Sequence, residues 1–384
     1  MMTRARVAIR AAILICAGVL TLAAPSAVAA DSTIANDTAR ILAGMPVDES
    51  SPVASFMQSS SWKRHASHFD RAWTQLDKRQ LSKIRAWSAK HIPERQPVMF
   101  YMFSGPDFLY ADAFYGDATT YVLSALEPVG PIPSLKGMSN YQLARELGEL
   151  QRSVNSVLSY SFFITKKMKT QLRGGRLTGT LPVLYLFLAR SGKTIEDVSY
   201  VAIDKDGKLE VTGDDGSRGD TKGVRINFSG SDGKKRTLYY FSTNLADDGV
   251  KKSGFLEFCA KLGRGDSLIK SASYLLHYGY FSTTREFILD HSAVLVEDDS
   301  GIPLRYFKRE DWNLYPFGNY LGPISIFPGK YQRDLKALYR RDHAGPINFG
   351  IGYRWRPRQS NLLLAIRKVS NTAQDDTAQD EAAE

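Results

Sequence analysis

Three carboxylates follow a run that is apolar on both faces. Asp107, Asp112 and Asp117 stand just beyond Val98-Met99-Phe100-Tyr101-Met102-Phe103, in and after the segment Ser104-Gly105-Pro106-Asp107-Phe108-Leu109-Tyr110-Ala111-Asp112. Paired carboxylates serve as acid and base when one is ionised and the other is kept protonated. A loop at a strand end suits that work, because the sheet fixes the backbone while the loop reaches the ligand. Asp107 and Asp112 are therefore candidate catalytic groups, with Ser104 and Tyr110 beside them as candidate ligand contacts. The competing reading has Asp107 capping a helix that starts after Pro106, with the other two solvated.

A second set is Glu297-Asp298-Asp299-Ser300-Gly301, again after an apolar run. Adjacent carboxylates can hold a hard cation through oxygen. Neighbours on a strand point to opposite faces, so only a loop converges them, and Asp299-Ser300-Gly301 is also ordinary turn chemistry. Asp298 and Asp299 complete the catalytic candidates.

The third signal is basic and aromatic: Arg340-Arg341, then Arg354, Trp355, Arg356 and Arg358. On an extended strand Arg354 and Arg356 share a face opposite Trp355, a geometry able to grip carboxylate or phosphate. Arg354, Arg356 and Arg358 are thus candidate ligand-binding residues, against the alternative of a charged solvent face. His65 and His68 form an H-x-x-H pair, but no third ligand is evident nearby, and no metal set is assigned. Gly137-Met138-Ser139-Asn140-Tyr141 lacks the second glycine of a nucleophile elbow. Arg218-Gly219-Asp220 and Arg264-Gly265-Asp266 spell an adhesion tripeptide that arises easily by chance. No cofactor fingerprint is present.

The elements that must position these groups are partly legible. Trp62, Ala66, Phe69, Trp73 and Leu76 recur at helical steps within 56–92, and Leu81, Ile84 and Trp87 mark a second helix stopped by Pro93. Leu143, Leu147, Leu150, Val154 and Val157 mark a long amphipathic helix. Hairpins are predicted over 198–210, turning at Asp206-Gly207, and over 223–241, turning at Asp232-Gly233. Helical segments are expected near 254–262 and 268–276. The alternation Ile347, Phe349, Ile351, Tyr353, Trp355 predicts a strand that hairpins with Leu362, Leu364 and Ile366. The fold class is α+β: a largely antiparallel mixed sheet flanked by helices, with a helical N-terminal arm over 31–95 and an α/β body over 96–370. Faint echoes such as Tyr101-Met102-Phe103-Ser104 with Tyr239-Tyr240-Phe241-Ser242 raise a division of the body into halves near 96–190 and 195–370.

Residues 1–30 read as a cleavable export signal: Arg4, Arg6 and Arg10, an apolar run from Ala11 to Ala24, then Pro25 and small residues cut after Ala29 or Ala30. The mature chain is expected in the periplasm or secreted. Its one cysteine, Cys259, excludes an internal disulfide and sits in apolar company. Removing three arginines leaves 47 basic and 40 acidic residues. The tail 371–384 holds five acids and no base and is expected to be disordered, so the body carries about +12. That charge suits an anionic envelope polymer or a small polar ligand; nucleic acid fits the compartment less well, and no usual binding module is present. Two functions follow: an exported binder of an anionic or polar envelope ligand, or a secreted hydrolase using the loop carboxylates, metal-dependent if a cation joins them.

Overall fold

The computed structural model describes residues 32–92, 94–160, 162, 175–213 and 221–368. The export signal, the acidic tail and the Arg218-Gly219-Asp220 tripeptide lie outside the described residues. A single ten-stranded sheet runs through the protein in the order β4-β3-β5-β6-β2-β1-β7-β8-β10-β9. The strands are β1 (Val98–Met102), β2 (Thr120–Ala125), β3 (Thr194–Ile203), β4 (Leu209–Val211) and β5 (Thr221–Ser229). They continue with β6 (Lys235–Ser242), β7 (Gly265–Ile269), β8 (Ser292–Glu297), β9 (Trp312–Gly318) and β10 (Asn361–Arg367). Five of the nine neighbouring pairs are antiparallel, and they occupy the two flanks. The four parallel pairs join β6, β2, β1, β7 and β8 in the middle. Strands from both proposed halves share this sheet, since β2 pairs with β6 and β1 with β7.

The unbroken hydrophobicity of β1 now has its cause. A parallel central strand is covered on both faces, so neither set of alternating side chains meets water. Met99 and Tyr101 enter one core with α1 (Ser32–Leu42), α2 (Ser60–Leu76), α3 (Ser82–His91), α4 (Phe108–Tyr115), α5 (Asn140–Tyr160) and α6 (Leu181–Arg190). Val98, Phe100 and Met102 enter the other with α7 (Asp247–Ser253), α8 (Phe255–Lys261), α9 (Ser282–His291) and α10 (Arg333–Arg341).

The stripe on α2 packs as its spacing predicts, with Trp62, Phe69 and Leu76 buried, and the Ser59 hydroxyl caps it by accepting from the Trp62 N–H. These helices pack on the body and share a core with β1. His65 is a packed histidine: Nε2 meets the Leu42 carbonyl at 2.8 Å and Nδ1 meets Gln151 at 3.1 Å. Both hairpins form at their Asp-Gly turns, β3 with β4 and β5 with β6. Cys259 is fully buried.

Two expectations are corrected. Residues 268–274 are not helical: Leu268 and Ile269 end β7, a loop with left-handed residues follows, and only the short 3-10 turn Leu275–His277 touches the expected segment. The Ile347–Trp355 alternation is not a strand of the sheet. It closes on itself through an Ile351–Arg354 bridge, and β10 pairs with β8 and β9 instead. Gly350 permits the tight return, because a Cβ there would lie 1.4 Å from the Trp355 carbonyl oxygen.

β7 carries a buried acid in mid-strand. Asp266 accepts the Gln96 N–H at 3.0 Å through one oxygen, while the other has no partner, and burial pushes its carboxyl up to about 7. The folded state therefore holds its proton longer than the unfolded chain, so stability declines as pH rises between about 4 and 7. Asp266→Asn is expected to exceed the wild type in urea midpoint at pH 8 and to lose that advantage at pH 5.

Candidate functional site

The C-terminal ends of β1, β7 and β8 lie side by side, and their loops leave in different directions. After β1 the chain enters α4, whose Phe108 and Phe114 join the first core. After β7 it places Leu276, Phe281 and Phe287 in the second. Adjacent parallel strands whose connections part to opposite faces leave a crevice at their carboxyl ends, the usual ligand position in such sheets.

Backbone strain gathers at the same edge. Among the described residues five non-glycines have positive φ, and four are Phe103, Ser271, Ser273 and Tyr274, in the loops after β1 and β7. Left-handed conformations of non-glycine residues cost energy and cluster where geometry serves a function.

Asp107 stands at the head of α4, where its Oδ1 accepts the Tyr110 N–H at 3.2 Å. Capping is thus one of its tasks, but its other oxygen does more. Oδ2 accepts from the Tyr101 hydroxyl at 2.9 Å and pairs with the Lys270 ammonium at 2.9 Å, in an ion pair whose side chains are 2 % and 1 % exposed. Lys270 Nζ also lies 3.9 Å from the centre of the Tyr110 ring. A buried lysine is tolerated when an anion and an aromatic face replace its hydration.

The next residue reaches the second carboxylate. The Ser271 N–H lies 3.2 and 3.3 Å from the two Asp298 oxygens, and Asp298 Oδ1 also accepts from the Ser300 N–H and hydroxyl at 3.1 and 2.5 Å. One dipeptide, Lys270-Ser271, therefore ties Asp107 on one side and Asp298 on the other. Burial pushes the Asp298 carboxyl up to about 7, and the Asp299 charge adds to this. Asp299 is raised by burial too, opposed by hydrogen bonds from Asn361 Nδ2 (3.0 Å) and the Tyr274 hydroxyl (2.7 Å). Gly352, at φ +71°, closes over Asp298; a Cβ there would fall 1.7 Å from Oδ2.

No family model, curated protein or solved structure matches the chain.

Aromatic rings cover these strand ends. The Tyr353 hydroxyl donates to the Ser271 carbonyl at 2.9 Å and meets the Ser273 hydroxyl at 2.9 Å. Its ring packs with Phe327 and Tyr274, and burial pushes its hydroxyl up to about 12. Ser273 is exposed at the rim. The Ser271 hydroxyl is buried without a hydrogen-bond partner, one residue from the Lys270 ammonium.

The sequence candidates divide accordingly. Asp107, Asp298, Asp299 and Tyr110 form one cluster at the ends of β1, β7 and β8. Ser104 adjoins it, buried, with its hydroxyl donating to the Gly105 carbonyl at 2.8 Å. Asp112 belongs elsewhere: it points from α4 to Lys193 at 2.7 Å, and its other charged neighbours are Arg85 and Arg236. Asp117 pairs with Arg95. Of the arginines only Arg354 is near, pulling Asp299 downward while it donates to the Gly322 and Pro323 carbonyls at 2.6 and 2.9 Å. Arg356 lies over the Trp355 ring at 5.1 Å and Arg358 is exposed, so the three form no common grip. Glu297 turns inward to accept the Ile302 N–H at 2.7 Å. Among the described residues no three His, Cys, Asp or Glu side chains converge on a metal position.

Sequence reasoning missed Lys270, Ser271, Tyr274, Tyr353 and Asn361. Lys270 carried little signal, because the Gly265-Asp266-Ser267-Leu268-Ile269 strand before it does not read as a buried one.

Proposed function

We propose that the chain is a hydrolase whose acid–base group is Asp298, acting on a polar substrate in the crevice at the ends of β1, β7 and β8. The carrying observation is a buried carboxyl poised near neutrality and held by the N–H of Ser271, the residue after Lys270, whose buried ammonium pairs with Asp107. Ionised Asp298 can take a proton from the attacking hydroxyl, either water or Ser271; protonated, it can return one to the leaving group. Lys270, fixed by Asp107 and Tyr110, supplies a stationary positive charge for the negative charge that develops on a substrate oxygen. Asp299, bound by Tyr274 and Asn361, positions the loop. A panel of chromogenic esters, glycosides and phosphate esters, offered to purified protein between pH 5 and 9, tests the reading. Turnover that depends on Asp298 supports it; a blank panel, or turnover indifferent to Asp298, overturns it.

The setting of this activity is proposed to be the cell envelope, on the tripartite N-terminus and the +12 body, whose charge suits an anionic envelope partner. Fractionation of the source cell should place the processed chain in the periplasm or medium with its N-terminus at Ala30 or Asp31; an unprocessed cytoplasmic chain contradicts it.

A further inference from the structure

Beside the carboxylates, on the second-core face of the sheet, stands a cluster of cations that forms no ion pair among the described residues. Arg285 and Arg305 share the Tyr306 ring, their guanidinium carbons 3.9 and 4.8 Å from its centre. Lys330 Nζ lies 3.4 Å from the centre of the Tyr278 ring. Arg285 donates to the Leu276 and Tyr278 carbonyls at 2.8 and 3.2 Å, which fixes the backbone on both sides of His277. Among the described residues none of these three cations lies within 4.0 Å of a carboxylate. The one acid felt at the Tyr306 ring is Glu286, which is exposed.

His277 sits among them. One ring nitrogen is engaged by the Asp299 backbone, while Nε2 is buried without a hydrogen-bond partner. Burial first, then Lys330, Arg305 and Arg285, lower its pKa to about 4, so the ring is neutral near pH 7. Like charges brought together repel unless something between them is negative. A protein that gathers three cations around an unsatisfied imidazole has a place where an anion relieves both costs. Access exists: Arg305 is exposed, and Lys330 and His277 are half-buried.

We propose that His277, Arg305 and Lys330, backed by Arg285, form a binding site for a tetrahedral oxyanion, a phosphate or a phosphoryl group carried on a larger molecule. Arg305 and Lys330 supply direct charge-assisted donors. Arg285, occupied by two carbonyls and nearly buried, supplies field and holds the frame. His277 donates once it takes up a proton, which a bound dianion favours. The site does not depend on the chemistry assigned to Asp298, and each can fail alone.

Calorimetry on the mature protein, with inorganic phosphate in one arm and phenyl phosphate in the other, tests it. Saturable binding is expected in the millimolar range or tighter. Arg305→Gln/Lys330→Gln should weaken it about tenfold or more, because both direct charges are gone. The tighter arm identifies whether the natural group is free or pendant. In parallel the His277 ring titration, followed by NMR, should move up by about one unit when phosphate saturates. Should the double variant misfold, Arg305→Gln alone, at an exposed position, carries the test with a smaller loss. No saturation of either probe in the millimolar range, or binding unchanged in the folded variant, overturns the site.

Discussion

Lys270→Met is expected to destabilise the protein by roughly 3–5 kcal/mol, since the Asp107 carboxylate would lose its cation at a position water does not reach. The side chains of the pair are 1 % and 2 % exposed, so solvent cannot take over the lost interaction. Tyr101 still donates to Asp107, which keeps the loss below that of a bare charge. Lys270→Met/Asp107→Asn should recover much of the deficit, because the neutral amide no longer needs a counter-charge. A double-mutant cycle from urea unfolding at pH 7 measures this, and coupling well above 1 kcal/mol is the expected sign of one buried unit. Additive losses would instead mean that each residue is held by separate contacts.

The second large effect is chemical. Asp298→Asn should lower turnover by about 10²–10⁴-fold, the range that positioned acid–base groups contribute. The amide keeps the volume and can still accept from Ser271, but neither takes nor returns a proton. In the wild type the rate should depend on pH with an inflection near 7, where the Asp298 carboxyl ionises. The variant's residual rate should lose that inflection. Asp299→Asn should shift the inflection downward, because the neighbouring charge helps to hold Asp298 up. A variant as active as the wild type, with the same pH profile, would remove Asp298 from the mechanism.

What the sequence disclosed follows from where each residue's partners lie. The two Asp-Gly hairpins and the α2 stripe rest on neighbours a few positions away, so local chemistry was enough to find them. β1 was legible because a strand covered on both faces needs apolar residues throughout. β7 occupies the same kind of position but hides it. Its Asp266 and Ser267 are buried against Gln96, Ser292 and Tyr115, which arrive from distant elements, so the segment reads as polar. The same reason separates the candidate residues. Asp107, Asp298 and Asp299 announced themselves as carboxylates at strand ends. Lys270 looks like any surface lysine until its distant carboxylate is placed beside it. The arginine run misled because alternation around Gly350 and Gly352 imitates a strand while the glycines fold it into a turn.

The order of the central strands also governs when the crevice can exist. β1 is made early, yet one of its edges waits for β7 and the adjoining lysine, and Asp299 waits for Asn361 near the end of the chain. Pairings across such sequence distances slow folding, because long loops must close before any contact rewards them. Until β7 arrives, the apolar edge of Val98–Met102 is open to strands from other copies, a recognised route to aggregation. Chains truncated before Gly265 are accordingly expected to be insoluble as well as inactive, and a holdase or slow synthesis should raise the yield of the full-length protein.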